Sequence, residues 1–177
     1  MDWPLQGGSI IFLLFSTTMK EFIDATIFMG MNSSNEKIRI ACKNFFVEHI
    51  KKTIFMSLEN VGKCDDIVWQ FDRETQDAYY PFMDRLHTVM DIQRIPYDKE
   101  TINKRQEYHK LSLFQQLTIA HAQDGILFTF DKVLLDLNFK NVKNPPLFDE
   151  EKFFPKDLEK WYQASLKLRV NHIESIN

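Results

Sequence analysis

Two apolar segments, residues 21–30 (EFIDATIFMG) and residues 111–135 (LSLFQQLTIAHAQDGILFTFDKVLL), each run into an aspartate where a strand would end. In the first, Phe22 and Ile23 lead to Asp24, followed by Ala25 and Thr26. In the second, a helical stretch to Gln123 turns at Asp124-Gly125, and a strand over 126–130 delivers Asp131. The carboxyl ends of strands line the functional crevice of a parallel sheet. Two strand-ending carboxylates at opposite ends of one domain therefore predict converging acids that can hold a divalent cation.

The residues between them alternate strand-like and helix-like patterns. After a Gly/Asn/Ser loop over 30–35, Ser33 or Ser34 opens a helix whose apolar positions (Ile38, Ala41, Phe45, Ile50) recur near a 3.6 period. Thr53–Ser57 is β-branched and aromatic without alternation, as buried parallel strands are. Helices follow over 58–69 and 73–90, and Pro81 is expected to kink or divide the second. A weaker strand covers 91–96, and Asp98 or Thr101 caps a helix through Tyr108. Another helix spans 112–123. Beyond Asp131 come a short helix over 132–137 and a fifth strand at 139–142, and Asn144-Pro145-Pro146 marks a boundary. This order predicts an α/β fold: a three-layer α/β/α sandwich over residues 19–143 with a four- or five-stranded, mainly parallel sheet. Residues 144–177 form a C-terminal helical appendage. In it Leu158, Trp161, Tyr162, Ser165, Leu166 and Arg169 make one amphipathic stripe, which either packs back on the domain or meets a partner.

The chain has 177 residues, enough for one genuine core, and its net charge of −3 gives no global nucleic-acid signature. Cys42 and Cys64 lie in no CxxC and beside no His pair, so they read as buried free thiols of a reducing, cytoplasmic setting. Residues 1–18 read as an N-terminal extension or an apolar arm on the sheet edge. Their run SIIFLLF is far short of the roughly 20 residues that cross a bilayer, and no membrane span is expected anywhere.

From Phe22 to Val142 the chain resembles the PIN-domain family, metal-dependent ribonucleases that include the toxins of bacterial toxin–antitoxin pairs. Asp24 with the polar Thr26 two residues on, Thr129-Phe130-Asp131, Leu111-Ser112-Leu113 and Ile119-Ala120-His121-Ala122 carry the resemblance. It implies four acids around Mg²⁺ or Mn²⁺, with a metal-bound water attacking an RNA phosphodiester. Asp24 and Asp131 occupy two of those positions. Lys63 stands where the second acid is expected, and Gln115 or Gln116 where the third is. Glu59 and Asp66, each about one helical turn away, are the candidate substitutes. The implied catalytic set is thus Asp24, Asp131 and Glu59, with Asp66 as a further metal ligand and Thr26, Lys63, Gln115 and Lys132 along the RNA. Lys99, Lys104, Arg105, His109 and Lys110 are a further basic group. The alternative is a catalytically degenerate PIN-like module that binds RNA or a protein without cleaving.

Partners follow from aromatic content. Trp69, Phe71, Tyr79, Tyr80 and Phe82 cluster in one helical region, and Phe148, Phe153, Phe154, Trp161 and Tyr162 in the tail. That is more aromatic area than a domain of this size readily buries, and aromatics concentrate at interface centres. A homodimer, or a complex with a small protein such as an antitoxin, is expected. The competing reading folds the tail over the second helical region within one chain.

Overall fold

In the computed structural model, which describes residues 19–176, five strands form one all-parallel sheet; the extension expected at residues 1–18 lies outside the described residues. The strands are β1 (Lys20–Ile23), β2 (Thr53–Ser57), β3 (Asp91–Ile95), β4 (Gly125–Phe128) and β5 (Val142–Lys143), in the order β3-β2-β1-β4-β5. Successive side chains point to opposite faces, so the central strands β1, β2 and β4 feed two cores. Ile23, Ile54, Met56 and Phe128 face one, and Phe22, Phe55 and Leu127 the other. The first core is covered by α1 (Ala25–Gly30), α2 (Glu36–Glu48), α3 (Leu58–Val68), α4 (Arg73–Val89) and α8 (Lys156–Ser165). The second packs under α6 (Leu113–His121) and α7 (Lys132–Asp136), with α5 (Lys99–Lys104) and the 3-10 turn Arg105–Tyr108 beside α6. The molecule is a three-layer α/β/α sandwich.

Gly125 sets how closely β4 approaches the central strand. A Cβ there would lie 2.2 Å from the Lys20 carbonyl oxygen and 2.7 Å from the Phe22 ring, in the register that pairs Lys20 with Gly125. Only glycine admits that contact.

Several boundaries differ from expectation for identifiable reasons. Asn35, not Ser33 or Ser34, caps α2: the Ser33 hydroxyl accepts from the Asn35 backbone N–H while its backbone bridges to Val170, and the Ser34 hydroxyl donates to Asn171. The segment after Asp24 is a helix, α1, with all six residues buried and hence no amphipathic signal. Pro81 sits inside α4 without dividing it. β4 stops at Phe128, leaving Thr129 and Phe130 as a connector, and β5 falls at Val142–Lys143 rather than at 139–142.

The tail joins the main core. Phe154, Leu158, Tyr162, Leu168, Val170 and Ile173 are buried there, and the rings of Phe82, Phe154 and Tyr162 meet with centroids 5.3 to 5.8 Å apart. The amphipathic stripe ends at Ser165, so Leu166 and Arg169 lie beyond the helix. Of the aromatic area that a single domain was expected to leave uncovered, Tyr79, Phe82, Phe154 and Tyr162 are buried and Phe71, Tyr80 and Trp161 half-buried, while Trp69, Phe148 and Phe153 stay exposed.

A hydrogen-bonded centre at the switch point of the sheet

From β1 the chain winds outward to β2 and β3, then returns to lay β4 on the opposite flank of β1. Reversal of direction between β1 and β4 opens a crevice at their carboxyl ends, where ligands of such sheets bind. Asp24 and Asp131 stand at that point, both buried. Each is a helix N-cap. Asp24 Oδ1 accepts from the Thr26 and Ile27 backbone at 2.9 and 3.3 Å, and Asp131 Oδ1 accepts from the Leu134 backbone at 3.1 Å. The N–H groups left unpaired at a helix start explain why carboxylates occupy both positions.

Two threonines bind the aspartates together. The Thr26 hydroxyl donates to Asp24 Oδ1 (2.6 Å) and accepts from the Phe130 backbone N–H (2.6 Å). The Thr129 hydroxyl donates to Asp24 Oδ2 (2.6 Å) and accepts from the Asp131 backbone N–H (2.8 Å). Charge-assisted bonds of this kind are the stronger class, and here they consume both hydroxyls internally.

The remaining positions carry amides whose orientations are fixed. Gln115 closes a capping box with Ser112: its backbone N–H donates to Ser112 Oγ, and its Oε1 accepts from the Ser112 backbone N–H, both at 3.2 Å. That turns Nε2 toward Asp131 Oδ2, to which it donates at 2.9 Å. Gln116 faces elsewhere, donating to the Leu111 carbonyl, so Gln115 is the glutamine of the centre. Asn60 was not foreseen. Its Oδ1 accepts from the Ala25 backbone N–H at 2.8 Å, and its Nδ2 donates to Ser57 Oγ (2.9 Å) and Thr118 Oγ1 (3.3 Å). Ser57 in turn donates to the Tyr97 hydroxyl at 3.1 Å, and burial raises the Tyr97 phenol against the opposing effect of Ser57 and Thr118. The spacing Ser57-x-x-Asn60, a cap followed by a side-chain amide at the third helical position, was the available signal.

The other candidates lie outside this network. Glu59, Asp66 and Lys132 are exposed and Lys63 is half-buried. Thr26 and Gln115, expected along an RNA, are buried with their polar groups spent internally. In the basic group Lys104 pairs with Glu100 at 2.7 Å and Arg105 donates to Gln116.

The donor set does not fit a hard divalent ion. Mg²⁺ and Mn²⁺ require converging oxygens, whereas Gln115 presents an N–H to Asp131 and the Asn60 oxygen is bonded to the backbone. Among the described residues no three His, Cys, Asp or Glu side chains are grouped so as to hold a metal ion.

A doubly wound α/β domain with a hydrogen-bonded aspartate pair at its switch point is the class of protein that fold and centre define. The chain belongs to DUF6190, a family of unknown function, which it matches over residues 16–175. No curated protein and no solved structure matches it. No described helix is long and apolar enough to cross a membrane.

Proposed function

We propose that this chain is a PIN-like module that binds a partner without cleaving nucleic acid. The orientation of Gln115 supports the reading most directly. A glutamate there would set an oxygen against Asp131 Oδ2 and call for a bridging cation; the glutamine satisfies Asp131 with a hydrogen bond instead. Asn60 likewise contributes a neutral side chain whose hydrogen-bonding groups are already engaged. The second reading, a Mg²⁺- or Mn²⁺-dependent ribonuclease drawing on Glu59 or Asp66, is favoured by the placement of Asp24 and Asp131 at the switch point. RNA incubated with Mn²⁺ or Mg²⁺ and either the native chain, Asp24→Asn or Asp131→Asn distinguishes them. We expect no cleavage by the native chain above that of the variants. Native cleavage lost in both variants would establish the ribonuclease.

The partner is a protein, a second copy of this chain in the first instance, met in the cytoplasm where Cys42 and Cys64 stay reduced. Leu58, Leu113 and Val133 support a protein surface: each is about half exposed in the first turn of a helix whose cap (Ser57, Ser112 or Asp131) belongs to the centre. Trp69 and Phe153 add exposed aromatic area. Light scattering at micromolar concentration is expected to give about twice the 21.1 kDa of one chain, falling on dilution. A single-chain mass at every concentration would remove the homodimer and direct the search to a small heterologous protein of antitoxin type.

A further inference from the structure

Away from the aspartate centre, α3, α4 and β3 wall a cavity of about 330 Å³. Its floor is apolar and aromatic, built from the buried side chains of Phe28, Met56, Cys64, Tyr79 and Met83. Its mouth is polar: Asp65 of α3 and Asp84 of α4 are exposed there, beside Tyr80 and His87. The His87 Nδ1 lies 2.8 Å from the Met83 carbonyl. A carbonyl only accepts, so Nδ1 carries the proton and donates to it. Burial raises the Asp65 carboxyl first, and Asp66 raises it further. The mouth therefore offers two carboxylates above an apolar and aromatic floor.

We propose that this cavity binds a small organic cation, an ammonium group carried on an aromatic or alkyl body. The volume suits one ring and a short stem at the lower end of ligand-pocket sizes. The apolar body rests on Phe28, Met56 and Met83, while the ammonium reaches Asp65 and Asp84 beside the aromatic rings of Tyr79 and Tyr80. Arg94, on the β3 wall, disfavours a ligand with a second cationic end. The ligand chemistry has two sources: a free amine, or a lysine side chain on a docked protein.

Calorimetric titration of the full chain with phenethylamine, 2-phenylethanol and Nα-acetyl-lysine amide tests the assignment. Phenethylamine is expected to bind saturably and about tenfold more tightly than its neutral isostere, the size of one charge-assisted contact. The double substitution Asp65→Asn with Asp84→Asn is expected to remove that tenfold preference. Both positions are exposed, so the fold is expected to be retained, which a circular dichroism melt of the variant checks. Tighter binding of the acetyl-lysine amide than of phenethylamine supports the cation site with a protein-borne lysine as the source; weaker binding supports it with a free amine. Equal affinity for amine and alcohol, no saturable amine binding, or an undiminished preference in the double variant would overturn the proposal.

Discussion

Replacing Lys43 with methionine is expected to destabilise the fold by about 3–5 kcal/mol, the cost of leaving a buried ion pair half made. The Lys43 side chain is fully buried, and its ammonium pairs with Glu151 at 2.7 Å and Glu159 at 2.8 Å. It also lies 4.7 Å from the ring centroids of Phe153 and Tyr162. These groups tie α2 to the tail. Arg39 reinforces them by bonding both Glu151 oxygens at 2.8 Å and the Tyr162 hydroxyl at 2.9 Å, while Tyr162 donates to the Met31 carbonyl. Methionine fills the volume, but Glu159 keeps only its bonds from the Phe154 backbone and Gln163. Urea unfolding measures the loss, and adding Glu159→Gln should recover part of it, since coupled partners are non-additive. A loss below about 1 kcal/mol, the range of exposed pairs, would mean that water reaches this network. The same contacts set an acid limit. Chiefly through Arg39, the Glu151 carboxyl is held at about 2 against an ordinary 4.5. Its stabilising contribution is therefore complete above about pH 4.5 and is lost as pH falls toward 2. Glu151→Gln should flatten that limb of the urea midpoint against pH.

What was legible in the sequence was what depends on near neighbours. Thr53–Ser57 and the capping aspartates Asp24 and Asp131 could be read because β-branched runs and caps leave local marks. The start of α2 could not: Ser33, Ser34 and Asn35 are equivalent local caps, and the choice among them is made with the tail, some 137 residues on, bridging the Ser33 backbone and bonding the Ser34 hydroxyl. α1 escaped for the opposite reason, since a helix buried on every side shows no periodicity. The centre divides along the same line. Asp24 and Asp131 carry a local signal of their own, whereas Asn60, Thr118 and Tyr97 join them only through contacts between α3, α6 and the loop after β3. An amide carries no such signal, although in this chain the amides decide what the acids can do.

Gln115→Glu tests that decision most sharply. The introduced side chain can keep the capping box, because one oxygen still accepts from the Ser112 backbone and glutamate is favoured at that position. Its second oxygen falls where Nε2 now donates to Asp131 Oδ2 at 2.9 Å. A hydrogen bond becomes a contact between two buried carboxylates, and like charges sharing a site push one of their pKa values up. We expect a loss of about 3 kcal/mol at neutral pH, comparable to stranding a buried charge. Because the pair's folded-state affinity for a proton exceeds that of the unfolded chain, the loss should shrink as pH falls below neutrality and a proton is shared. Mn²⁺ or Mg²⁺ should restore the melting temperature of the variant at neutral pH while leaving the native chain unmoved, since binding to the folded state alone stabilises by mass action. The native chain is its own control. If metal raised the native melting temperature equally, Gln115 would not be what keeps a cation from the centre, and the non-cleaving reading would lose its principal support.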